Sequence, residues 1–280
     1  MKIIHTIAEL REALAPSKRP ALVPTMGNLH DGHLALVRQA KPLGDVTVAT
    51  VFVNRLQFAP HEDFDTYPRT LERDAELLRG VGCDIVFAPS EKELYPQPQG
   101  FKVHPPPELA DILEGHFRPG FYTGVCTVVM KLFQIVRPSV AVFGKKDYQQ
   151  LMVIRNMVQQ FAMPIDIIGG ETERARDGLA LSSRNGYLSA GERQEAVLMS
   201  QTLAQLGQAA VRERATLDAG TMARLEGVAM QTMRDQGWQP DYMTIRRRSD
   251  LQPPQAGDAL VVLGAARLGK TRLIDNMEVQ

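Results

Sequence analysis

The 280-residue sequence lacks an excess of charge of either sign, since 32 lysine and arginine residues balance 32 aspartate and glutamate residues. Proteins that bind nucleic acid or anionic membranes usually carry a basic excess. A local basic patch occurs at Arg246, Arg247 and Arg248, and its simplest interpretation is a solvated turn or the end of a strand. We therefore expect neither a nucleic-acid partner nor a membrane partner.

Cysteine is almost absent. Cys83 and Cys126 each lie among apolar residues, and neither belongs to a CxxC or cysteine–histidine cluster, so the spacing of a structural metal site is missing. We interpret both as buried thiols in a reducing compartment.

Long apolar runs are absent as well. No stretch approaches the roughly 18 apolar residues of a membrane span. Glu9, Arg11 and Glu12 interrupt the N-terminal apolar residues too early for a signal peptide. These absences predict a cytoplasmic protein.

Short apolar segments alternate with helical patterns over the first part of the chain. The predicted strands are rich in valine and isoleucine and span residues 21–24, 46–53, 84–89, 140–144 and 165–170. The predicted helices between them span residues 32–41, 70–80, 123–136 and 147–161. This alternation predicts an α/β fold with a doubly wound parallel sheet, in which ligands bind beyond the carboxyl ends of the strands.

The pattern changes near residue 173. Ser189 and Glu192 form a capping box before a helical repeat. A second helix at 219–236 and strands at 241–246, 259–266 and 271–279 follow. We therefore predict two domains, residues 1–172 and a smaller α+β domain at residues 173–280.

The string GAARLGKT, residues 264–271, matches a nucleotide-binding P-loop. A P-loop needs a helix after it, because the helix N-terminus and the loop amides hold the phosphates. The residues after Thr271 alternate as a strand does. We therefore predict a β-hairpin with Leu268-Gly269 near its turn, and a P-loop NTPase that uses Lys270 is the alternative.

Two histidines follow the first of these strands. His30 and His33, with Gly32 between them, stand where a helix begins. Free amides and the helix dipole favour phosphate there, and histidines can donate to phosphate oxygens in a transition state. We favour phosphate binding over a packing or surface role, while a metal site lacks a third ligand.

Further polar residues follow other predicted strands. Asn54 and Gln57 come after the second and could hold a hydroxyl or carboxylate, or form an ordinary polar loop. Lys145 and Lys146 come after the fourth, with Gln150 one turn into the next helix.

Two more segments carry candidate polar groups. Ser182, Ser183 and Arg184 lie in a predicted turn and suit phosphate. Asp74 is a candidate Mg²⁺ ligand, but its spacing alone favours a solvated helix charge.

Taken together, the motifs of the chain closely resemble those of the pantothenate synthetase family. They are PTMGNLHDGH, FVN-x-x-QF, YPRT, LEG-x-x-RPG, TVV-x-KLF, FG-x-KD-x-QQL, DGLALSSRN-x-YL and TRLIDN. The resemblance runs from about residue 20 to residue 277. It implies a Rossmann-like N-terminal domain, a C-terminal domain that closes over the active site, and a homodimer. The implied activity joins (R)-pantoate and β-alanine with ATP as co-substrate and Mg²⁺ as cofactor, releasing AMP and pyrophosphate.

The resemblance also assigns residues. The ATP-binding positions would be Met26, Gly27, Asn28, Leu29, His30, Asp31, Gly32, His33, Gly144, Lys145, Lys146, Asp147, Glu173, Leu181, Ser182, Ser183 and Arg184. The catalytic residues among them would be His30, His33, Lys146 and Arg184. Gln57, Gln150 and Asn54 would bind pantoate and β-alanine, and Asp74 would be the Mg²⁺ carboxylate.

The chain departs from the family at three places. Arg55 stands where proline usually follows FVN, Phe121-Tyr122 where His-Phe usually follows RPG, and Lys145 where Glu or Gln is usual. These changes concern substrate affinity rather than the reaction. Another adenylyl- or nucleotidyl-transferring enzyme of the same superfamily, without the paired glutamines, and a catalytically silent binding protein are the alternatives.

Overall fold

The computed structural model describes residues 1–59 and 64–279. The chain divides into two compact units. The N-terminal unit comprises Met1–Lys145 and Gln150–Glu171, and the C-terminal unit comprises Lys146–Gln149 and Thr172–Gln280. The chain thus enters the C-terminal unit twice, first for only four residues. The functional domains 1–172 and 173–280 stay a prediction.

In the part of the chain that the structure describes, the N-terminal unit is built on six parallel strands. They are β1 (Lys2–Ile4), β2 (Pro20–Thr25), β3 (Val46–Val51), β4 (Ile85–Phe87), β5 (Val140–Gly144) and β6 (Asp166–Gly170). Their order in the sheet is β1-β4-β3-β2-β5-β6, and every neighbouring pair is parallel. The predicted Rossmann-like doubly wound sheet is therefore confirmed.

The sheet order contains a topological switch point, where ligands commonly bind in open α/β sheets. The chain runs outward from β2 through β3 to β4, then returns to place β5 on the other side of β2. Such a switch point opens a crevice at the carboxyl ends of the two strands that flank it. Those ends are Thr25 of β2 and Gly144 of β5, which the histidine loop and the lysine pair follow directly.

Eight helices are described in the first part of the chain. They are α1 (Ile7–Leu14), α2 (Asp31–Ala40), α3 (Leu71–Gly80), α4 (Glu91–Leu94), α5 (Pro107–Ala110), α6 (Glu114–Phe117), α7 (Phe121–Val136) and α8 (Tyr148–Gln160). Apolar residues of α2, including Leu34 and Val37, pack on Val23 and Ala49 of the sheet. Among the described residues, no helix is both long and apolar enough to cross a membrane.

Over its described residues, the C-terminal unit has a three-stranded antiparallel sheet and three α-helices of its own. The strands are β7 (Gln239–Arg247), β8 (Leu260–Leu268) and β9 (Thr271–Val279), in that order. The helices are α9 (Ala190–Glu195), α10 (Val197–Arg212) and α11 (Ala219–Asp235). The predicted capping box at Ser189 and Glu192 is present, but the helix it starts ends at Glu195 and α10 begins after Ala196.

The P-loop-like string forms a hairpin. Leu268 of β8 pairs with Thr271 of β9, so Gly269 and Lys270 make a two-residue turn. Gly269 has φ +55°, which favours glycine at the first turn position. The residues after Thr271 continue as β9 rather than as a helix. The predicted hairpin is confirmed, and the amide-lined helix N-terminus of a P-loop is missing at this place in the described chain.

The basic patch lies at the end of β7, as predicted, and two of its three arginines pair with carboxylates. The Arg247 guanidinium lies 2.6 Å from a carboxylate oxygen of Asp250, and the Arg248 guanidinium lies 2.9 Å from Glu278. The side-chain hydrogen bond from Arg247 holds the pKa of the Asp250 carboxyl below its ordinary value. These contacts give Arg247 and Arg248 structural roles within the C-terminal unit.

Candidate active site

The loop after β2 carries two histidines that cap α2 reciprocally. His30 is the N-cap, and its Nδ1 accepts the Gly32 amide proton at 3.2 Å. The His33 Nδ1 faces the His30 amide at 3.4 Å, a long hydrogen bond. The two ring centres lie 4.1 Å apart. A neutral imidazole that accepts at Nδ1 carries its proton on Nε2, which makes Nε2 the atom that can donate to a phosphate.

Asp74 stabilises this loop through hydrogen bonds to its backbone. Its carboxylate accepts hydrogen bonds from the amides of Asn28 at 2.9 Å and Leu29 at 2.8 Å, and from the Thr70 hydroxyl at 3.1 Å. The side chain is wholly buried. The sequence-based preference for a solvated helix charge was therefore wrong, because α3 turns this face toward the loop rather than toward water.

The loop approaches Asp74 so closely that only glycine fits at position 27. Gly27 has φ +83°, and a Cβ built there would lie 2.9 Å from Asp74 Oδ2 and 3.0 Å from Val51 Cγ1. Asn28 also has a positive φ, of 51°. Asparagine tolerates that conformation better than most residues. The Gly-Asn pair and the buried carboxylate together fix the path of the loop into α2.

Asn54 and Gln57 form one hydrogen-bonded group after β3. Asn54 is buried, and its amide donates to Gln57 Oε1 at 3.1 Å. Its Oδ1 accepts the Tyr95 hydroxyl proton at 2.9 Å. The Gln57 amide nitrogen lies 2.9 Å from Met26 Sδ. The structure thus joins the candidate substrate-binding group to the first residue of the histidine loop.

Lys131 packs over the aromatic ring of Tyr95. Its ammonium lies 4.5 Å from the centre of the Tyr95 ring, and donates to Leu94 O at 2.7 Å and to Gln99 Oε1 at 2.8 Å. Burial raises the pKa of Tyr95 and lowers the pKa of Lys131. Our interpretation of the sequence missed both residues as site components, although Lys131 is the lysine of the quoted TVV-x-KLF motif.

The structure gives the unusual Arg55 two contacts. Its Nε lies 3.1 Å from Glu91 Oε1, and its guanidinium carbon lies 3.9 Å from the centre of the Phe64 ring. Both charged side chains are about half exposed, 57% and 50%, so this pair contributes at most about 1 kcal/mol. These contacts tether the 3-10 helix Arg55–Gln57, where proline would have restricted φ instead.

The second departure, Phe121-Tyr122, lies at the start of α7. The Arg118 guanidinium packs on the Phe121 ring with 3.7 Å between its central carbon and the ring centre. The same guanidinium donates to the Gln57 carbonyl oxygen at 3.2 Å. Phe121 therefore helps to orient an arginine that holds the backbone of the candidate pantoate residue.

The lysines after β5 belong to different units. Lys145 ends the first stretch of the N-terminal unit and forms an ion pair with Glu171. Lys146 begins the C-terminal segment Lys146–Gln149, in which Asp147 is exposed. Gln150 returns to the N-terminal unit as a half-buried residue in the first turn of α8.

Within the C-terminal unit, Lys146 lies near the serine segment. Lys146 and Ser182 both line a small cavity. The Leu181 amide donates to the Glu173 carbonyl oxygen at 2.9 Å. The Ser182 hydroxyl accepts the Arg184 amide proton at 3.2 Å and caps the 3-10 helix that begins at Ser183. The structure therefore brings these predicted phosphate residues together inside one unit.

No metal cluster of the protein alone is found in the described chain. Over residues 1–59 and 64–279, no three or more histidine, cysteine, aspartate or glutamate side chains are arranged to hold an ion.

Comparison with known proteins gives a full-length match. The family model described as pantoate-beta-alanine ligase matches residues 2–278. The pantothenate synthetases of Leptothrix cholodnii and Verminephrobacter eiseniae are each 64% identical to this chain, over 99% of it and 100% of the relative.

Solved structures agree with these relatives. The crystal structure of pantothenate synthetase from Thermus thermophilus has a TM-score of 0.92 and 42% identity, covering 100% of this chain and 99% of that one. The pantoate-beta-alanine ligase of Francisella tularensis, crystallised with beta-gamma ATP and beta-alanine, has a TM-score of 0.81 and 34% identity. That comparison covers 99% of this chain and 97% of the other.

Proposed function

The chain belongs to the pantoate–β-alanine ligase family, and from that premise we propose how its residues divide the work of the reaction. The enzyme condenses (R)-pantoate with β-alanine at the expense of ATP, through a pantoyl adenylate, and releases AMP and pyrophosphate. The full-length match favours this activity over the other adenylyl-transferring enzymes and over a silent binding protein.

The chemistry asks the protein for positioning and charge neutralisation. A pantoate carboxylate oxygen attacks the α-phosphorus of ATP, and pyrophosphate leaves with the electron pair of the broken P–O bond. The amine of β-alanine then attacks the acyl carbon, AMP leaves and the amine loses a proton. No enzyme nucleophile is required, so rate enhancement comes from fixed geometry and from donors directed at the phosphate oxygens.

We assign the phosphate oxygens to four donors. His30 and His33 sit at the N-terminus of α2, where amides and dipole favour an anion. Lys146 and Arg184 are assigned from the family resemblance, and both carry positive charge. Their proposed targets are the α-phosphate and the departing pyrophosphate, where charge builds up in the transition state.

The remaining ATP contacts are proposed from residues that flank these donors. They are Met26, Gly27, Asn28, Leu29, Asp31, Gly32, Gly144, Lys145, Asp147, Glu173, Leu181, Ser182 and Ser183. Because the Glu173 carbonyl already accepts the Leu181 amide proton, its proposed adenine contact uses the second lone pair of that oxygen.

Pantoate and β-alanine are assigned to uncharged side chains. Gln57 and Gln150 are proposed to bind the hydroxyl and carboxylate groups of pantoate, with Gln57 and Asn54 near β-alanine. The observation that carries this assignment is the 2.9 Å contact between Gln57 Nε2 and Met26 Sδ. This contact supports a pantoate site beside the histidine loop, because attack on the α-phosphorus requires reacting atoms about 3–3.5 Å apart.

Mg²⁺ is proposed to arrive with ATP, where it would neutralise phosphate charge. Proteins often bind this ion through one or two carboxylates and substrate phosphates. Asp74 does not fit that role as it stands, because it is wholly buried and both its oxygens accept protein hydrogen bonds. No step is therefore assigned to a metal held by Asp74, and its role as a ligand stays a prediction.

A pyrophosphate assay tests the reaction order. With ATP and pantoate but no β-alanine, pyrophosphate release should stop near one equivalent per site, since the adenylate stays bound. Adding β-alanine should start turnover and AMP release. Omitting pantoate should abolish both, and steady pyrophosphate release without pantoate would contradict the proposed sequence of steps.

Single-turnover kinetics test the donors. His33→Ala and Lys146→Ala should each slow adenylate formation by on the order of a hundredfold at saturating ATP and pantoate. Attack of β-alanine on preformed adenylate should slow less. His5→Ala is the matched control, since His5 is exposed and follows the edge strand β1. If both variants regained the full rate at high ATP, His33 and Lys146 would contribute only to ground-state binding of ATP.

Separate titrations test the pantoate side. Gln150→Ala should weaken pantoate binding far more than ATP binding, because truncation leaves buried substrate groups without partners. Equal weakening of both ligands would mean that Gln150 supports the fold rather than the substrate.

We also propose, from the family resemblance, that the enzyme is a homodimer, which light scattering coupled to gel filtration would test. Its use of ATP supports a cytoplasmic location, which fractionation of the source cells would test.

A further inference from the structure

The TRLIDN motif of β9 ends in two polar residues that are both buried. Asp275 is 5% exposed and Asn276 is 6% exposed. Neighbouring side chains of a strand point to opposite faces, so both faces of β9 are covered at this place. Burying polar groups is costly unless they are hydrogen-bonded, which makes the partners of this pair informative.

Arg174 is the partner of Asp275. Its two terminal nitrogens donate to the two carboxylate oxygens at 2.7 and 2.8 Å, a bidentate pair. The same guanidinium donates to the carbonyl oxygens of Gly178 at 3.1 Å and Asn276 at 3.0 Å. Arg174 thereby connects β9 to the turn that starts at Arg174 itself. Across this turn, Arg174 forms an isolated antiparallel β-bridge with Ala180.

Asn276 connects the same place to the lysine segment. Its side-chain amide donates to the Lys146 carbonyl oxygen at 2.8 Å. The neighbouring Asp275 carboxylate accepts the proton of the Asn276 backbone amide at 2.8 Å. One hydrogen-bonded group therefore holds both Lys146 and the turn that leads through Leu181 to Arg184.

We propose that Asn276 is a positioning residue for Lys146 in adenylate formation, and that the Arg174–Asp275 pair keeps Asn276 in place. This proposal rests on the role of Lys146 proposed above. The lysine side chain is long and flexible, so its ammonium is directed at one phosphate only if its backbone is fixed. A displacement of about 1 Å can cost about a hundredfold in rate.

Two substitutions of Asn276 test the proposal. Asn276→Asp keeps the side-chain size but turns an oxygen toward the Lys146 carbonyl, and Asn276→Ser shortens the side chain without adding charge. Both should lower the single-turnover adenylation rate by about tenfold to a hundredfold at saturating substrates, with a smaller change in ATP affinity. Thr244→Val is the matched control, because it removes a buried hydrogen bond of the same unit, from Thr244 to Glu226.

A double-mutant cycle separates positioning from general support of the fold. If Asn276 acts through Lys146, Asn276→Ser should slow the reaction strongly in the native background and little in Lys146→Ala, since interacting residues are not additive. The same factor in both backgrounds would overturn the proposal, and so would a native rate in both Asn276 variants. Loss of rate in Thr244→Val equal to that in Asn276→Ser would also overturn it.

The cycle distinguishes this proposal from the proposed function. A slow Lys146→Ala enzyme with fast Asn276 variants refutes only the positioning role. A fast Lys146→Ala enzyme refutes the assignment of Lys146 itself, and the positioning role with it.

Discussion

Asp74→Asn is the most informative single change in the N-terminal unit, because it separates support of the histidine loop from binding of Mg²⁺. The wild-type carboxylate accepts three hydrogen bonds, two of them from the amides of Asn28 and Leu29. Asparagine retains one oxygen and presents an NH₂ group in place of the other. At least one buried loop amide then faces a donor instead of an acceptor.

The expected cost follows from that lost contact. A hydrogen bond to a charged group contributes about 1.5–3 kcal/mol, and leaving a buried amide unpaired costs a similar amount. We therefore expect the free energy of unfolding to fall by about 2–4 kcal/mol, and the adenylation rate to fall because His30 and His33 lose their fixed loop. The Mg²⁺ concentration for half-maximal rate should stay unchanged.

Urea denaturation and an Mg²⁺ titration of the adenylation rate measure these quantities. Glu76→Gln on the same helix is the control, because Glu76 is exposed and such changes usually stay within about 0.5 kcal/mol. A native unfolding curve for Asp74→Asn, combined with a tenfold higher Mg²⁺ requirement, would refute loop support and make Asp74 a metal ligand.

Four further predictions concern other places in the chain. Lys270→Ala should leave ATP affinity within about twofold, because Lys270 lies in a hairpin turn; a large loss in a folded variant would restore the P-loop. Tyr95→Phe should raise the KM for pantoate more than that for ATP, since it removes the proton donated to Asn54; an unchanged KM in steady-state assays would separate Tyr95 from the substrate site. Native Cys83 and Cys126 should resist iodoacetamide at pH 8 and react after unfolding, because burial raises both pKa values, that of Cys126 from 9.0 to about 12. Since the folded pKa is the higher one, the stability from this burial is complete below pH 9.0 and is lost as the pH rises toward 12, which urea titrations at several pH values would detect.

The alternation of apolar segments and helical patterns was sufficient to predict the sheet. Residues 46–53 show the pattern of a strand covered on both faces, and β3 is indeed buried at Thr47, Val48, Ala49 and Thr50. The buried thiols were predicted correctly from their apolar neighbours. The three-residue strand β1 and the four-residue helices α4, α5 and α6 were missed, because segments this short carry too few residues to show a period.

The candidate site likewise has residues that the sequence predicts and residues that it does not. The histidine pair, the two glutamines and the lysine pair stand out because they follow strands or match motifs. The supporting residues do not. Asp74, Tyr95 and Arg174 bind segments far away in sequence, through hydrogen bonds that only the folded chain brings about. Spacing along one helix made Asp74 look solvated, since spacing does not tell which face the rest of the protein covers.

The double entry of the chain into the C-terminal unit has a consequence for how this enzyme can be divided. A gene fragment that began at Thr172 would encode β9 without the Lys146 carbonyl that Asn276 binds, and without the Tyr148 hydroxyl that donates to Glu278 at 2.9 Å. The Asn276 side chain and the Glu278 carboxylate would each lose one hydrogen-bond partner at the cut. Neither unit is therefore a cassette that recombination could exchange by a single crossover, and a split enzyme would have to keep Lys146–Gln149 with the C-terminal half.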